Sequence, residues 1–125
     1  MHELEINGTM YQFNFGIGFV REIDQTVSVS RNGVKEDVGL QVAIAGLLDG
    51  KVTTLETVLM AANKGQNPRL TTAALDSWID NTSTDVDAVF DKVLGFLRST
   101  NATRKATVQL EKQAAELMEQ AKKAE

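Results

Sequence analysis

The 125-residue chain predicts an α+β fold, with an N-terminal β-hairpin, and room for a second, packed on a bundle of four to five α-helices that ends in a long C-terminal helix. Three observations predict it. Strict alternation of apolar and polar side chains is confined to the N-terminal third. Two Asn-Gly pairs, Asn7-Gly8 and Asn32-Gly33, fall inside that third, where they favour tight hairpin turns. From about Asp37 onward the apolar residues recur instead at the three- and four-residue spacing of core-facing helices.

The elements follow in order. Leu4 and Ile6 alternate with Glu3, Glu5 and Asn7, and Tyr11, Phe13 and Phe15 alternate with Gln12 and Asn14, so the three aromatics share one face of the first hairpin. Residues 16–24 switch to helical spacing around Phe19, Val20 and Ile23. Val27, Val29 and Val34 flank Asn32-Gly33 as a short second hairpin or an ordered loop. Leu40, Ala43, Ile44, Leu47 and Leu48 form a helical stripe that Asp49-Gly50 terminates. Thr53 or Thr54 is placed to cap the next helix, which carries Leu55, Val58, Leu59 and Ala62 and stops near Asn63-Lys64-Gly65. Pro68 holds the loop that follows extended. Thr71 or Thr72 opens a short helix with Leu75, Trp78 and Ile79, and Ser83 or Thr84 opens a longer one with Val86, Val89, Phe90, Val93, Leu94 and Leu97.

The expected organisation is one α+β domain over residues 1–100 and an amphipathic helix or tail over 101–125. That tail is rich in Ala, Glu, Gln and Lys, all strong helix formers, yet its apolar stripe is thin. Leu110, Ala114, Leu117 and Ala121 recur at alternating spacings of four and three, with Met118 beside them. Such a helix is marginal alone in water and calls for support from its own domain, a second copy or a partner. These five residues are therefore the candidate partner-binding face.

Composition excludes several chemistries. The chain has no cysteine, hence no disulfide, thiolate metal site or thiol nucleophile. Its one histidine, His2, adjoins the initiator methionine, where chain ends commonly fray, so a held catalytic base is not expected there. A net charge of −4 lacks the basic face that phosphate contacts require, so nucleic acid is not an expected partner. No apolar run approaches the roughly 20 residues of a membrane span. Met1-His2-Glu3 is acidic where a signal peptide is basic, which points to the cytoplasm.

The remaining motifs have plain structural readings. Gly16-Ile17-Gly18 resembles the start of a dinucleotide fingerprint, but the third glycine position holds Arg21, so a close strand-to-helix turn is expected. Asp76, Asp80, Asp85, Asp87 and Asp91 lack EF-hand spacing and read as a solvated acidic face with a helix-capping share. Trp78 shares a helix face with Leu75 and Ile79 and is expected in the core. Catalytic residues, metal ligands and cofactors are not expected.

The run from Glu5 to Asp24, with Ile6-Asn7-Gly8 before an aromatic strand and Phe15-Gly16-Ile17-Gly18-Phe19 leading into a helix, resembles the opening of tail assembly chaperones from siphophages of Gram-positive hosts. Asn67-Pro68-Arg69-Leu70-Thr71 and the helices after it are similar in character, so the resemblance spans about residues 3–100. It implies a non-enzymatic protein that coats the tape measure protein, keeps it soluble and recruits tail tube subunits. Such a protein acts in the host cytoplasm and is absent from the mature virion. It is similar to short chaperones made beside a frameshifted longer form, and Lys122-Lys123 is a pair that a slippery heptamer can encode, although two lysines near a helix end also suit its dipole. Self-association along the client is a further expectation. Two other readings stay open: a cytoplasmic regulator or adaptor binding a host protein, and a minor virion or connector subunit.

Overall fold

A computed structural model describes residues 1–123; the last two positions of the expected 101–125 segment lie outside the described residues. Two antiparallel hairpins and six helices follow one another: β1 (His2–Ile6), β2 (Thr9–Phe13), α1 (Ile17–Asp24), β3 (Ser28–Arg31), β4 (Val34–Asp37), α2 (Gly39–Leu48), α3 (Val52–Asn63), α4 (Thr72–Asp80), α5 (Val86–Ser99) and α6 (Asn101–Lys123). The α+β architecture expected from the sequence is present, with the long helix at its C-terminal end.

Both Asn-Gly pairs form the hairpin turns. Asn7 and Gly8 have φ of 52° and 80°, and Asn32 and Gly33 have 53° and 79°, the left-handed pair that a two-residue turn needs to match strand twist. In the first hairpin Leu4 pairs with Tyr11 and Ile6 with Thr9, and Leu4, Ile6 and Phe13 turn inward. Phe15, just past β2, meets Phe19 of α1 edge to face at 5.2 Å. The hairpin is pinned to the helices by the Asn14 amide, which donates to Ala62 O at 2.8 Å, and by Asn7 Nδ2, which donates to Ala74 O at 3.2 Å. The second hairpin differs in kind, because every residue of β3 and β4 is exposed.

The core is continuous, from Leu4, Ile6, Phe13 and Phe15 of the first hairpin through α1, α2, α3 and α5. Fully burying one such Leu or Phe contributes about 1.5–3 kcal/mol. Helices α1 and α2 approach so closely that a Cβ on Gly39 would stand 1.8 Å from Ile23 O, so no other residue fits there. Trp78 packs against the core half-buried.

Three local expectations are corrected. Helix α3 starts at Val52 with Lys51 as its cap residue and no side-chain cap, so Thr53 and Thr54 lie inside it. The reason is Gly50, whose φ of 72° lets the chain turn straight from α2 into α3. Helix α5 is capped by Asp85, which accepts from Ala88 N at 3.1 Å, whereas Ser83 bonds Asn81 in the preceding turn. His2 is not frayed: it opens β1, and its ring stacks on Phe96 at 4.3 Å. The cap at Thr71 is as expected, accepting from Ala74 N at 3.1 Å.

Asn63, read from sequence only as the end of a helix, is fully buried and uses its whole amide. Nδ2 donates to Gln12 O at 3.0 Å and Pro68 O at 3.3 Å. Oδ1 accepts from Leu70 N at 2.6 Å and Arg69 Nη1 at 3.4 Å. One side chain thus ties β2, the end of α3 and the loop with the cis Asn67-Pro68 bond together.

Candidate partner-binding surface

Helix α6 follows α5 almost without a loop. Thr100, extended with φ of −94° and ψ of 130°, breaks the helix for one residue. Its hydroxyl donates to Phe96 O at 2.8 Å, and its carbonyl receives Arg104 N at 2.9 Å. The helix then packs chiefly on α5 and α2. Thr103 and Thr107 are completely buried there. Their hydroxyls are satisfied inside the core, Thr103 Oγ1 donating to Leu97 O at 2.6 Å and Thr107 Oγ1 to Thr103 O at 2.7 Å. A threonine whose hydroxyl reaches back one turn presents its methyl to the core at little polar cost. Ala106 and Leu110 complete the packed face.

The packing ends at Glu111. Its carboxylate accepts both Nε and Nη2 of Arg98, at 3.0 and 2.6 Å, a forked pair that ties α6 to α5. Beyond it the five candidate residues separate. Leu110 is half-buried against the core and Ala114 is partly covered. Leu117 and Met118 are 67% and 68% exposed, and Ala121 is exposed as well. The expected domain boundary at residue 100 falls at the α5–α6 break, but burial itself changes only after Glu111.

Sequence reasoning missed Thr103 and Thr107 because threonine does not register as apolar. The signal was spacing: 103, 107, 110, 114, 117 and 121 form one unbroken four-three series. That is the 3.5-residue seam by which helices pair.

Where α6 leaves the body, an open groove of about 540 Å³ runs between α2, α5 and α6. Leu47, Leu48, Phe90 and Leu94 form its apolar wall, and Asp87 and Asp91 stand exposed on α5 beside it. No local sequence pattern announces this groove, since its walls come from three separate helices.

Among the described residues no group of three or more His, Cys, Asp or Glu side chains is placed to hold a metal. Glu56 on α3 has its carboxyl raised above the usual value by burial, by a hydrogen bond with Asp76 and by the charges of Asp76 and Asp80. Gly16-Ile17-Gly18 is a strand-to-helix turn, with Gly16 N donating to Asn14 Oδ1 at 2.9 Å. No helix among the described residues is long and apolar enough to cross a membrane.

Two antiparallel hairpins stand on a helical body whose last helix is half docked and, over its last turns, half bare. The chain belongs to the phage tail assembly chaperone family, whose model, described as phage tail assembly chaperone protein, TAC, matches residues 3–112. Membership gives it a role in building phage tails, with tail proteins as its partners. No curated protein and no solved structure matches the chain. The matched segment ends within one residue of Glu111, so the bare half of α6 lies beyond it.

Proposed function

We propose that this chain is the holder of the tape measure protein during tail morphogenesis: it coats that client, keeps it soluble and brings tail tube subunits to it. The work is done in the host cytoplasm, and the chain is left out of the mature virion. Family membership supports the assembly role. The observation that carries the finer reading is the bare half of α6, where Leu117 and Met118 are exposed on the continuation of a seam that is buried upstream. A long, partly apolar helical client aggregates until tube subunits surround it, so its holder needs an apolar helical face that engages and releases. Many such contacts along one filament, reinforced by self-association, give avidity without tight single sites. Leu110, Ala114, Leu117, Met118 and Ala121 form the contact face in this reading.

Co-expression with the tape measure protein tests it. The wild-type chain is expected to keep the client in the soluble fraction, and Leu117→Asp with Met118→Asp to release most of it into the pellet. A client that is equally insoluble with and without the wild-type chain defeats the proposal. A frameshifted longer form is part of the same reading. A gene with no slippery heptamer at Lys122-Lys123 and no overlapping downstream frame removes that part alone.

A further inference from the structure

We infer that α6 exchanges between two copies of this chain, with the single residue Thr100 as the hinge. In the exchanged form α5 and α6 straighten into one rod, and each α6 docks on the α2 and α5 of the other copy. The exchange gives the holder's self-association a surface, yet it does not rest on the holder reading, because the chain alone displays it.

Local chemistry permits both forms. Residues 96–110 contain neither Gly nor Pro, so no helix breaker stands at the turn. Thr100 has φ of −94° and ψ of 130°, an ordinary extended conformation, and rotating its ψ to the helical value removes most of the bend. In a continuous helix the amides of residues 100–103 would bond the carbonyls of Phe96, Leu97, Arg98 and Ser99. At the break two of those carbonyls are held by side chains instead, Phe96 O by the Thr100 hydroxyl and Leu97 O by that of Thr103. Phe96 O and Leu97 O thus have a donor in either form. The bond from Arg104 N to Thr100 O, 2.9 Å, is one that the straight helix would keep. With no breaker in the sequence, what holds the chain bent is the docking of α6 on α2 and α5.

What covers the site that α6 leaves is equally defined. A single opened copy would expose Thr103 and Thr107, both completely buried in the closed form, and the faces of α2 and α5 against which they lie. Another α6 brings the two threonine methyls, Ala106 and Leu110 to the same places. It also restores the fork of Arg98 with Glu111, which then runs between chains rather than within one. The two forms therefore share their docking contacts and differ at the hinge, where a short connection favours exchange over a tight bend.

Sedimentation velocity on the full chain, refolded at high concentration with no client present, tests this. The wild type is expected to yield a dimer. Ser99→Ala with Thr100→Ala and Asn101→Ala favours helix at the hinge and removes the Thr100 hydroxyl. It should raise the dimerisation constant by at least about tenfold. Asn101→Pro should abolish the dimer. Proline suits the first position of α6 and an extended residue before it, but not the interior of a continuous helix. Connectivity is read from Arg98→Cys with Glu111→Cys, since the chain has no cysteine of its own. A bismaleimide should join the two thiols between chains in the dimer and within one chain in the monomer. Thermal unfolding checks that each variant is folded, and Gly-Gly inserted after Thr100, which eases the bend, replaces Asn101→Pro if that variant is not. A triple-alanine chain that stays monomeric overturns the inference. So does a dimer cross-linked only within its chains, or one that persists with Asn101→Pro or the insertion. Each of those results leaves the holder role standing, whereas a tape measure protein left insoluble by the wild type sinks that role and leaves the exchange.

Discussion

Over residues 101–111 the seam of α6 is made of Thr103, Thr107 and Leu110, and it lies inside; over residues 112–123 it is made of Ala114, Leu117 and Ala121, and it lies mostly outside. The buried stretch is thus the more polar of the two. The difference lies in what surrounds each stretch: α2 and α5 cover the first, and among the described residues nothing covers the last turns of the second. Two hydroxyls are affordable in the core because each bonds a carbonyl within reach. Leu117 and Met118 stand side by side in water, and theirs is the face that the proposed holder role would use.

The largest expected effect comes from cutting the chain on either side of that division. Ending it at Thr100 strips Thr103, Ala106, Thr107 and Leu110 from α2 and α5. That should remove several kcal/mol, on the order of the whole margin of a small domain, and abolish a cooperative urea transition. Ending it at Lys112 should change the unfolding free energy by no more than about 0.5 kcal/mol. Similar transitions for the two truncated chains would erase the contrast between the halves.

Single substitutions sharpen it. Thr107→Asp buries an unpaired carboxylate and should cost about 3–5 kcal/mol, whereas Leu117→Asp should stay within about 0.5 kcal/mol in chemical denaturation. A mid-sized loss belongs to Asn63→Ala, far from α6, as a calibration of what a buried polar hub is worth. It orphans Leu70 N and two carbonyls, for about 2–4 kcal/mol. If Leu117→Asp proved as costly as either, the outer half of α6 would be part of the fold after all.

Most elements were legible because apolar periodicity records which faces are buried. The stripes of α2, α3 and α5 and the alternation of the first hairpin each needed only local sequence. The Asn63 hub and the groove were not legible, and for one reason. Asn63 bonds Gln12 across 51 positions, and the groove joins residues from Leu47 to Glu111. Periodicity says that a face is covered, but not by what, and a polar residue with a distant partner looks the same in sequence as one in water. Cap positions failed on a smaller scale, since Gly50 and Asp85 outcompeted the neighbouring Thr and Ser residues for the same task.

At the outer limit of the packed half, Arg98→Ala should cost no more than about 1 kcal/mol, since the pair with Glu111 is largely open to water. Its signature is local. Amide exchange should quicken from about Val108 onward, where the fork no longer ties the helix to α5, while the amides of Thr103 and Thr107 stay protected.

The smallest effect concerns the root of α6. His2 stacks on Phe96 and stands 3.4 Å from the Thr100 hydroxyl, beside the break that launches the helix. Since that hydroxyl already donates to Phe96 O, it is free to accept from a neutral imidazole N–H. Burial, and secondarily the chain's own terminal ammonium, hold the imidazole pKa below its ordinary value of 6.5. The folded state therefore binds this proton less readily than the unfolded one. The stability it contributes is present above pH 6.5 and is lost as pH falls through the lower folded value. A shallow decline in melting temperature below pH 6.5 is expected in the wild type, and it should be flatter in His2→Phe, which keeps the stacked ring and has no proton to gain. The carboxylates contribute equally to both curves, so their difference isolates His2. Two parallel curves would mean that the ring at the root of α6 is held no more firmly than a chain end in water.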